Sequence, residues 1–492
     1  MNTELSIYKP SLALLTDLYQ LTMAYGYWKL GRQDDWGVFH LFFRRQPFGG
    51  GYAVACGLER VAEFVNGLRF DGEDIDYLAS LVGADGGPLF ERGFLDHLAA
   101  MELSCDIDAV PEGTAVFPHQ PLVRVAGPLL QCQLLETPLL NLVNFPTLVA
   151  TKAARICQAA GGQEVLEFGL RRAQGVDGGL TASRAAYVGG CTATSNVLAG
   201  RLFGIPVRGT HAHSWVMCFE DEPAAFDAYA AAMPNNCLFL VDTYDTLAGV
   251  RNAIDVGRRL RERGHELLGV RVDSGDLAYL SQIARRMLDE AGFERAVVVG
   301  SNDLDEHVIA SLKQQGAGIA VWAVGTRLVT CHDDPALGGV YKLSAIRRDG
   351  VWRHTVKLSE QAGKTTTPGV LQVRRFRHED NGPFLADMIF DELHPPPDGE
   401  AVIVDVKDAT RRRVIETGTP SEDLLVPIFR AGRCVYTGPA LADIRRRAAD
   451  QLAALHSGIK RLLNPHEYPA GLEMGLHLLK TELVLKMRGL AT

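Results

Sequence analysis

Between about Glu164 and Tyr341, short apolar runs recur, each followed by polar residues and then by a stretch whose apolar residues repeat at three and four. The runs are Val165-Leu166, Ile205-Pro206-Val207, Leu238 to Val241, Leu267 to Val272, Ala296 to Val299 and Ile319 to Val324. Helical stretches are predicted at 181–203, 221–233, 245–264, 276–291 and 305–315. Strand, crossover helix and strand repeated at least five times predict an α/β unit with a parallel sheet, open or closed into a barrel. An irregular βα barrel is the favoured form. Barrels and open sheets alike place their sites at the carboxyl ends of the strands. The polar residues there are Glu167 and Arg171, then Thr210, His211 and His213, then Asp242 and Thr243. Later ends carry Asp273, Ser274 and Asp276, then Ser301, Asn302 and Asp303, then Gly325 and Thr326.

The flanks have a different rhythm. Leu14 to Tyr25 has helical spacing, Gly37 to Phe43 reads as a buried strand, and Pro111 to Leu130 alternates short β runs with Pro and Gly breaks. Beyond Tyr341 short strands return around Pro395-Pro396-Pro397, followed by an Arg-, Ala- and Leu-rich helix. With 492 residues the chain exceeds the roughly 250–300 that one hydrophobic core supports. The expected division is an N-terminal α+β domain at 1–150, the barrel at 151–345, and a C-terminal section at 346–492 that completes the non-barrel domain.

Composition removes several function classes. Fifty Lys and Arg residues against 59 Asp and Glu leave a formal charge of −9, which argues against a broad basic surface for nucleic acid. No stretch reaches the roughly 18 apolar residues of a membrane span, and Met1-Asn2-Thr3-Glu4 opens no leader pattern, so no membrane role is expected. The 9 cysteines are odd in number and scattered without a C-x-x-C pair, which argues against a disulfide frame or a structural zinc site and suits a reducing cytoplasm.

Several short motifs admit both a chemical and a plain reading. Asp273-Ser274-Gly275-Asp276 closes a strand and opens a helix, which suits either a hydrated Mg²⁺ shared with ligand phosphates or a helix cap. Arg271 lies two residues earlier on the same strand face, bringing a guanidinium and a carboxylate together. Val324-Gly325-Thr326 and Val299-Gly300-Ser301-Asn302 suit phosphate capture by backbone N–H groups, or ordinary turns. Thr210-His211-Ala212-His213 supplies either a metal pair, as in metal-dependent barrel hydrolases, or one imidazole acting as a phosphate acceptor. In Glu167-Phe168-Gly169-Leu170-Arg171, a flat anionic ring could stack on Phe168 beside Arg171, or Phe168 could be core. Arg44-Arg45 beside Gly49-Gly50-Gly51 suits pyrophosphate capture or a surface turn.

Taken in order, longer stretches carry more information. They include LLTDLYQLTMAYGYW, FHLFFRRQPFGGGYAVACGLE, EFGLRRAQGVDGGLTASRAAYVGGCTATSNVLAG, RGTHAHSWVM, LVDTYDT, GVRVDSGDLAYLS, GSNDLDE, VGTRLVT and NPHEYPAGLE. This series resembles the nicotinate phosphoribosyltransferase family, within the type II phosphoribosyltransferases. The resemblance implies conversion of nicotinate and 5-phosphoribosyl 1-diphosphate to nicotinate mononucleotide and pyrophosphate in NAD biosynthesis. It also implies Mg²⁺, coupling to ATP hydrolysis through a phosphohistidine, and a homodimer with shared active sites. By the same resemblance His213 is the phosphorylated residue, while His211 has no assigned role. Phe168 and Tyr19 would sandwich the pyridine ring, Tyr19 coming from the neighbouring subunit. Arg271 and Thr210 would meet the nicotinate, Arg171 the reacting groups, and Asp273 the ribose or Mg²⁺. Ser301, Gly325 and Thr326 would take the 5-phosphate, Arg44 a phosphate across the interface, and Thr366 a place near the phosphoribosyl donor. The alternatives are a nicotinamide phosphoribosyltransferase and a metal-dependent barrel hydrolase using His211 and His213.

Overall fold

A computed structural model describes residues 11–360, 364–380, 382–397 and 399–490. The chain divides into two compact units, one of Met1–Leu148 with Ala336–Thr492 and one of Val149–Pro335. Among the described residues no helix is long and apolar enough to cross a membrane.

The Val149–Pro335 unit is built on six parallel strands in the order Ala193–Thr194, Glu164–Glu167, Val321–Val324, Val297–Asn302, Gly269–Val272 and Leu238–Leu240. The two outermost strands do not pair with each other, so the expected barrel is a curled half-barrel rather than a closed cylinder. Ile205-Pro206-Val207, read as a strand, contributes only a bridge between Val207 and Thr194, because proline has no N–H for a ladder. The helix expected over 181–203 is two helices, Gly175–Val188 and Val197–Phe203, with the strand Ala193–Thr194 between them. Gly189 and Gly190 cause the break. A Cβ on Gly189 would sit 2.3 Å from the Ala150 carbonyl oxygen, and Gly190 has φ +118°.

Alternation along these strands sorts the side chains. Val165, Val270, Val272, Val298, Trp322 and Val324 are buried on one face. Leu166, Ala193, Val299, Val321 and Ala323 form an apolar cluster on the other, with Phe168 packed against it. The two-residue period therefore carries Phe168, Arg271, Asp273, Ser301 and Gly325 to the carboxyl end of that inner face. Helix starts are held by aspartates: Asp245, Asp276 and Asp305 each accept a backbone N–H from the first turn.

The other unit interleaves both ends of the chain. A seven-stranded antiparallel sheet runs Val351–His354, Val340–Arg348, Trp36–Phe42, Val123–Pro128, Asp106–Ala109, Val426–Arg430, Arg433–Cys434. The strand Val340–Arg348 pairs with Trp36–Phe42, so residues 340–345 join this sheet rather than the half-barrel. A six-stranded mixed sheet runs Arg412–Ile415, Ala401–Asp405, Ala470–Glu473, Phe384–Asp391, Leu371–Arg377, Ser421–Asp423. An N-terminal helical cluster, including Leu21, Ala24, Phe90, Phe94 and Leu98, forms a separate patch of core.

Candidate active site

The inner-face residues line a cavity of about 230 Å³ at the carboxyl ends of the parallel strands. Phe168, Arg171, Arg271, Asp273, Ser301, Gly325 and Thr326, all expected site residues, contribute to its wall, together with Arg172, Asn302 and Asp303. Three guanidinium groups thus face a space that holds two carboxylates, which gives a local positive excess in an acidic chain.

Close backbone approach shapes one side. The Phe168 N–H donates to the Val324 carbonyl at 2.7 Å. A Cβ on Gly169 would lie 2.3 Å from Val329 Cγ1, and one on Gly325 would lie 3.1 Å from the Phe168 carbonyl oxygen. Glu167, on the opposite strand face, is fully tied: its carboxylate accepts from the Gly169 N–H at 2.5 Å, Ser183 Oγ at 2.9 Å and Thr194 Oγ1 at 2.6 Å. It is a positioning residue for the Phe168–Arg171 loop. Asn302 stands at the rim with φ +142°, a backbone state that costs energy outside glycine and is concentrated at functional sites.

The polar floor is only partly satisfied. Arg271 Nη1 donates to Thr210 Oγ1 at 2.6 Å, which brings Thr210 to the site, but Arg271 Nε is buried without a partner. Burial pushes the Arg271 pKa down, and Asp273 and Asp242 offset that only in part. Ser301 Oγ donates to Asp273 Oδ1 at 2.5 Å. Asp242 Oδ2 accepts from the Asp273 N–H at 2.9 Å and from Ser274 Oγ at 2.6 Å, while its Oδ1 is buried and unpartnered. Orphaned polar atoms of this kind are costly unless a ligand completes them. The carboxylates of Asp242 and Asp273 offer an all-oxygen donor set that suits Mg²⁺. Within Asp273-Ser274-Gly275-Asp276 the two readings separate: Asp276 is the helix cap, bonded to the Tyr279 N–H at 3.1 Å, and Asp273 lines the cavity. In sequence Asp242 stands out only as a strand-end residue; its equivalence to Asp273, directly after a buried strand, is the signal that pairs the two.

The two histidines part company. His211 is buried, its Nε2 accepts the Leu240 N–H at 3.2 Å, and its ring centroid lies 5.1 Å from that of Tyr229. Burial lowers its pKa to about 4. With Nε2 occupied, and with no third ligand grouped with His211 and His213 among the described residues, the H-x-H metal reading fails. His213 begins the short helix His213–Met217, and its Nδ1 lies 3.1 Å from Thr243 Oγ1.

Tyr19, Arg44 and Thr366 belong to the other unit. Tyr19 is exposed on the helix Leu18–Lys29. Arg44 lines a cavity of about 350 Å³ with Arg45, Gly49, His119, Lys407 and Glu467. Thr366 is buried, and its hydroxyl accepts the Lys357 N–H at 2.8 Å.

Residues 14–144 match the nicotinate phosphoribosyltransferase N-terminal domain, and residues 371–480 match the nicotinate phosphoribosyltransferase C-terminal domain. The nicotinate phosphoribosyltransferase of Bacillus subtilis is 44% identical over 477 residues, covering 94% of this chain and 93% of its own length. The crystal structure of human nicotinic acid phosphoribosyltransferase superposes with a TM-score of 0.81 at 36% identity, covering 95% of this chain and 99% of that one. A nicotinate-nucleotide pyrophosphorylase from Pyrococcus furiosus, at 19% identity and a TM-score of 0.68, covers 91% of this chain and 96% of its own, and shares the fold. These matches extend over nearly the whole chain, and with them the chain belongs to the nicotinate phosphoribosyltransferase family.

Proposed function

We propose that this protein is a nicotinate phosphoribosyltransferase of NAD salvage, coupled to ATP hydrolysis. The observation that carries the choice of substrate is the buried, unpartnered Nε of Arg271 in a cavity walled by Phe168. A planar carboxylate stacked on Phe168 would complete that guanidinium, while a neutral amide would leave its charge uncompensated. The ring nitrogen attacks C1 of 5-phosphoribosyl 1-diphosphate, the C1–O bond breaks, and pyrophosphate leaves. Arg171 and Arg172 face the developing negative charge, Gly325 and Thr326 offer donors to the 5-phosphate, and Ser301 would join them when its hydroxyl turns from Asp273 to the phosphate. Asp273, with Asp242 beside it, would hold Mg²⁺, which when bound neutralises the departing pyrophosphate.

His213 is the proposed phosphate acceptor. In the tautomer whose Nδ1–H donates to Thr243, its Nε2 lone pair is the free nucleophile. The exposed apolar set of Leu15, Leu18, Tyr19 and Met23 supports a homodimer in which Tyr19 of a second copy covers the ring. Nine cysteines that form no disulfide among the described residues support a reducing, cytoplasmic setting.

The test is product formation from nicotinate or nicotinamide, with and without ATP. Nicotinate mononucleotide should form faster than the amide product, and ATP should raise its yield; a preference for nicotinamide overturns the substrate choice. His213→Ala should lose the acid-labile label acquired from γ-labelled ATP, and unchanged labelling refutes the phosphohistidine.

A further inference from the structure

Away from the half-barrel, three residues remote in sequence converge. His354 ends the strand Val351–His354 of the seven-stranded sheet, and Asp391 ends the strand Phe384–Asp391 of the six-stranded sheet. His394 follows three residues later, in a turn closed by its N–H on the Asp391 carbonyl at 3.0 Å. His354 Nε2 lies 2.7 Å from Asp391 Oδ2, and His394 Nδ1 lies 3.1 Å from the same oxygen. One ligand atom from each residue falls within 4.8 Å of the other two.

We propose that His354, Asp391 and His394 form a binding site for a divalent ion of the zinc class. Two imidazole nitrogens and one carboxylate oxygen form a donor set that zinc takes readily and that Mg²⁺, which prefers oxygen alone, does not. A tetrahedral ion with bonds of about 2.0–2.1 Å holds its donors about 3.3 Å apart, against 2.7 and 3.1 Å from the two imidazole nitrogens to Asp391 Oδ2 and no more than 4.8 Å between any two of the three donors.

The surrounding structure holds the carboxylate as outer partners do in metal sites. Asp391 Oδ1 accepts the Val370 N–H at 2.8 Å and the Leu393 N–H at 3.1 Å, which leaves Oδ2 for the histidines. Gly369 makes this approach possible: it has φ +110°, and a Cβ there would lie 2.8 Å from Asp391 Cγ. Asp391 is 2% exposed and His354 13%, whereas His394 is 69% exposed, which leaves a coordination position for water. The bound ion would tie the two sheets of this unit together.

The test uses the untagged full-length chain, stripped with chelator and dialysed against Zn²⁺ alone. About one equivalent should bind in a manner that depends on His354 and His394 and should raise the melting temperature, while excess Mg²⁺, which the Asp242 and Asp273 carboxylates would take, should not displace it. His394→Ala, at an exposed position that tolerates truncation, should weaken Zn²⁺ binding at least about ten-fold, and His354→Gln should do the same. Co²⁺ in place of Zn²⁺ should give visible bands without thiolate charge transfer, which separates this site from the exposed Cys218 and Cys434. No bound Zn²⁺, equal binding by wild type and both variants, or a thiolate spectrum would each overturn the proposal.

Discussion

The half-barrel cavity and the buried Arg375–Asp387 pair of the other unit both bring guanidinium and carboxylate groups together, yet they are finished differently. Arg375 and Asp387 are fully buried, and their polar atoms meet Gln451, Tyr468, Gln120 and the Ala115 carbonyl as well as each other. Burial pulls the Arg375 pKa down, but the Asp387 carboxylate more than offsets it, and the net shift is upward. At Arg271 the balance runs the other way, and both Arg271 Nε and Asp242 Oδ1 are left unpartnered. A closed network is architecture; the open one, in the proposed function, is completed by an anion at the arginine and a cation at the aspartate.

Breaking the closed network should cost the most. Arg375→Met leaves Asp387 charged, buried and uncompensated, so unfolding in denaturant should show a loss of about 3–5 kcal/mol. Opening the open network further should spare the fold and harm the chemistry. Asp242→Asn should lower kcat/KM about 100-fold, which is about 2.7 kcal/mol, with an unchanged melting temperature. A large melting shift in that variant would move Asp242 into the structural class.

The smallest effect comes from one buried histidine in each unit, His211 and His40. Burial lowers the His211 pKa in the folded chain to about 4, and that of His40 in the other unit to about 3, from the ordinary imidazole value of 6.5. Between those values the unfolded chain binds more protons, so stability is intact above about pH 6.5 and is lost as the pH falls toward 4. Each histidine contributes at most about 1.4 kcal/mol per pH unit. His211→Gln should flatten part of that slope; an identical slope would mean that His211 does not set it.

Much of this was legible before any coordinates, for a definite reason. A two-residue period together with the strand-end rule selects Phe168, Arg271, Asp273, Ser301 and Gly325, because in parallel sheets both the hydrophobic pattern and the site follow from strand direction. Pairings between equivalent residues were not legible. Asp273 and Asp276 look alike until one caps a helix, and His211 and His213 look alike until the Leu240 N–H takes one of them. The predicted helix over 181–203 failed because what Gly189 passes against, the Ala150 carbonyl, is invisible to local periodicity. His354 and His394 stand 40 positions apart and meet at Asp391, one ending a strand of one sheet and the other following a strand of a different sheet, so no spacing motif announces them.

In the proposed function, Arg271 is the unfinished half of an ion pair whose other half is the substrate carboxylate. The direct test is the ratio of kcat/KM for nicotinate to that for nicotinamide, in wild type and in Arg271→Gln. The ratio should fall by about ten- to one-hundred-fold, almost entirely through nicotinate, with the melting temperature unchanged. An unchanged ratio, or an equal loss on both substrates, would contradict the account.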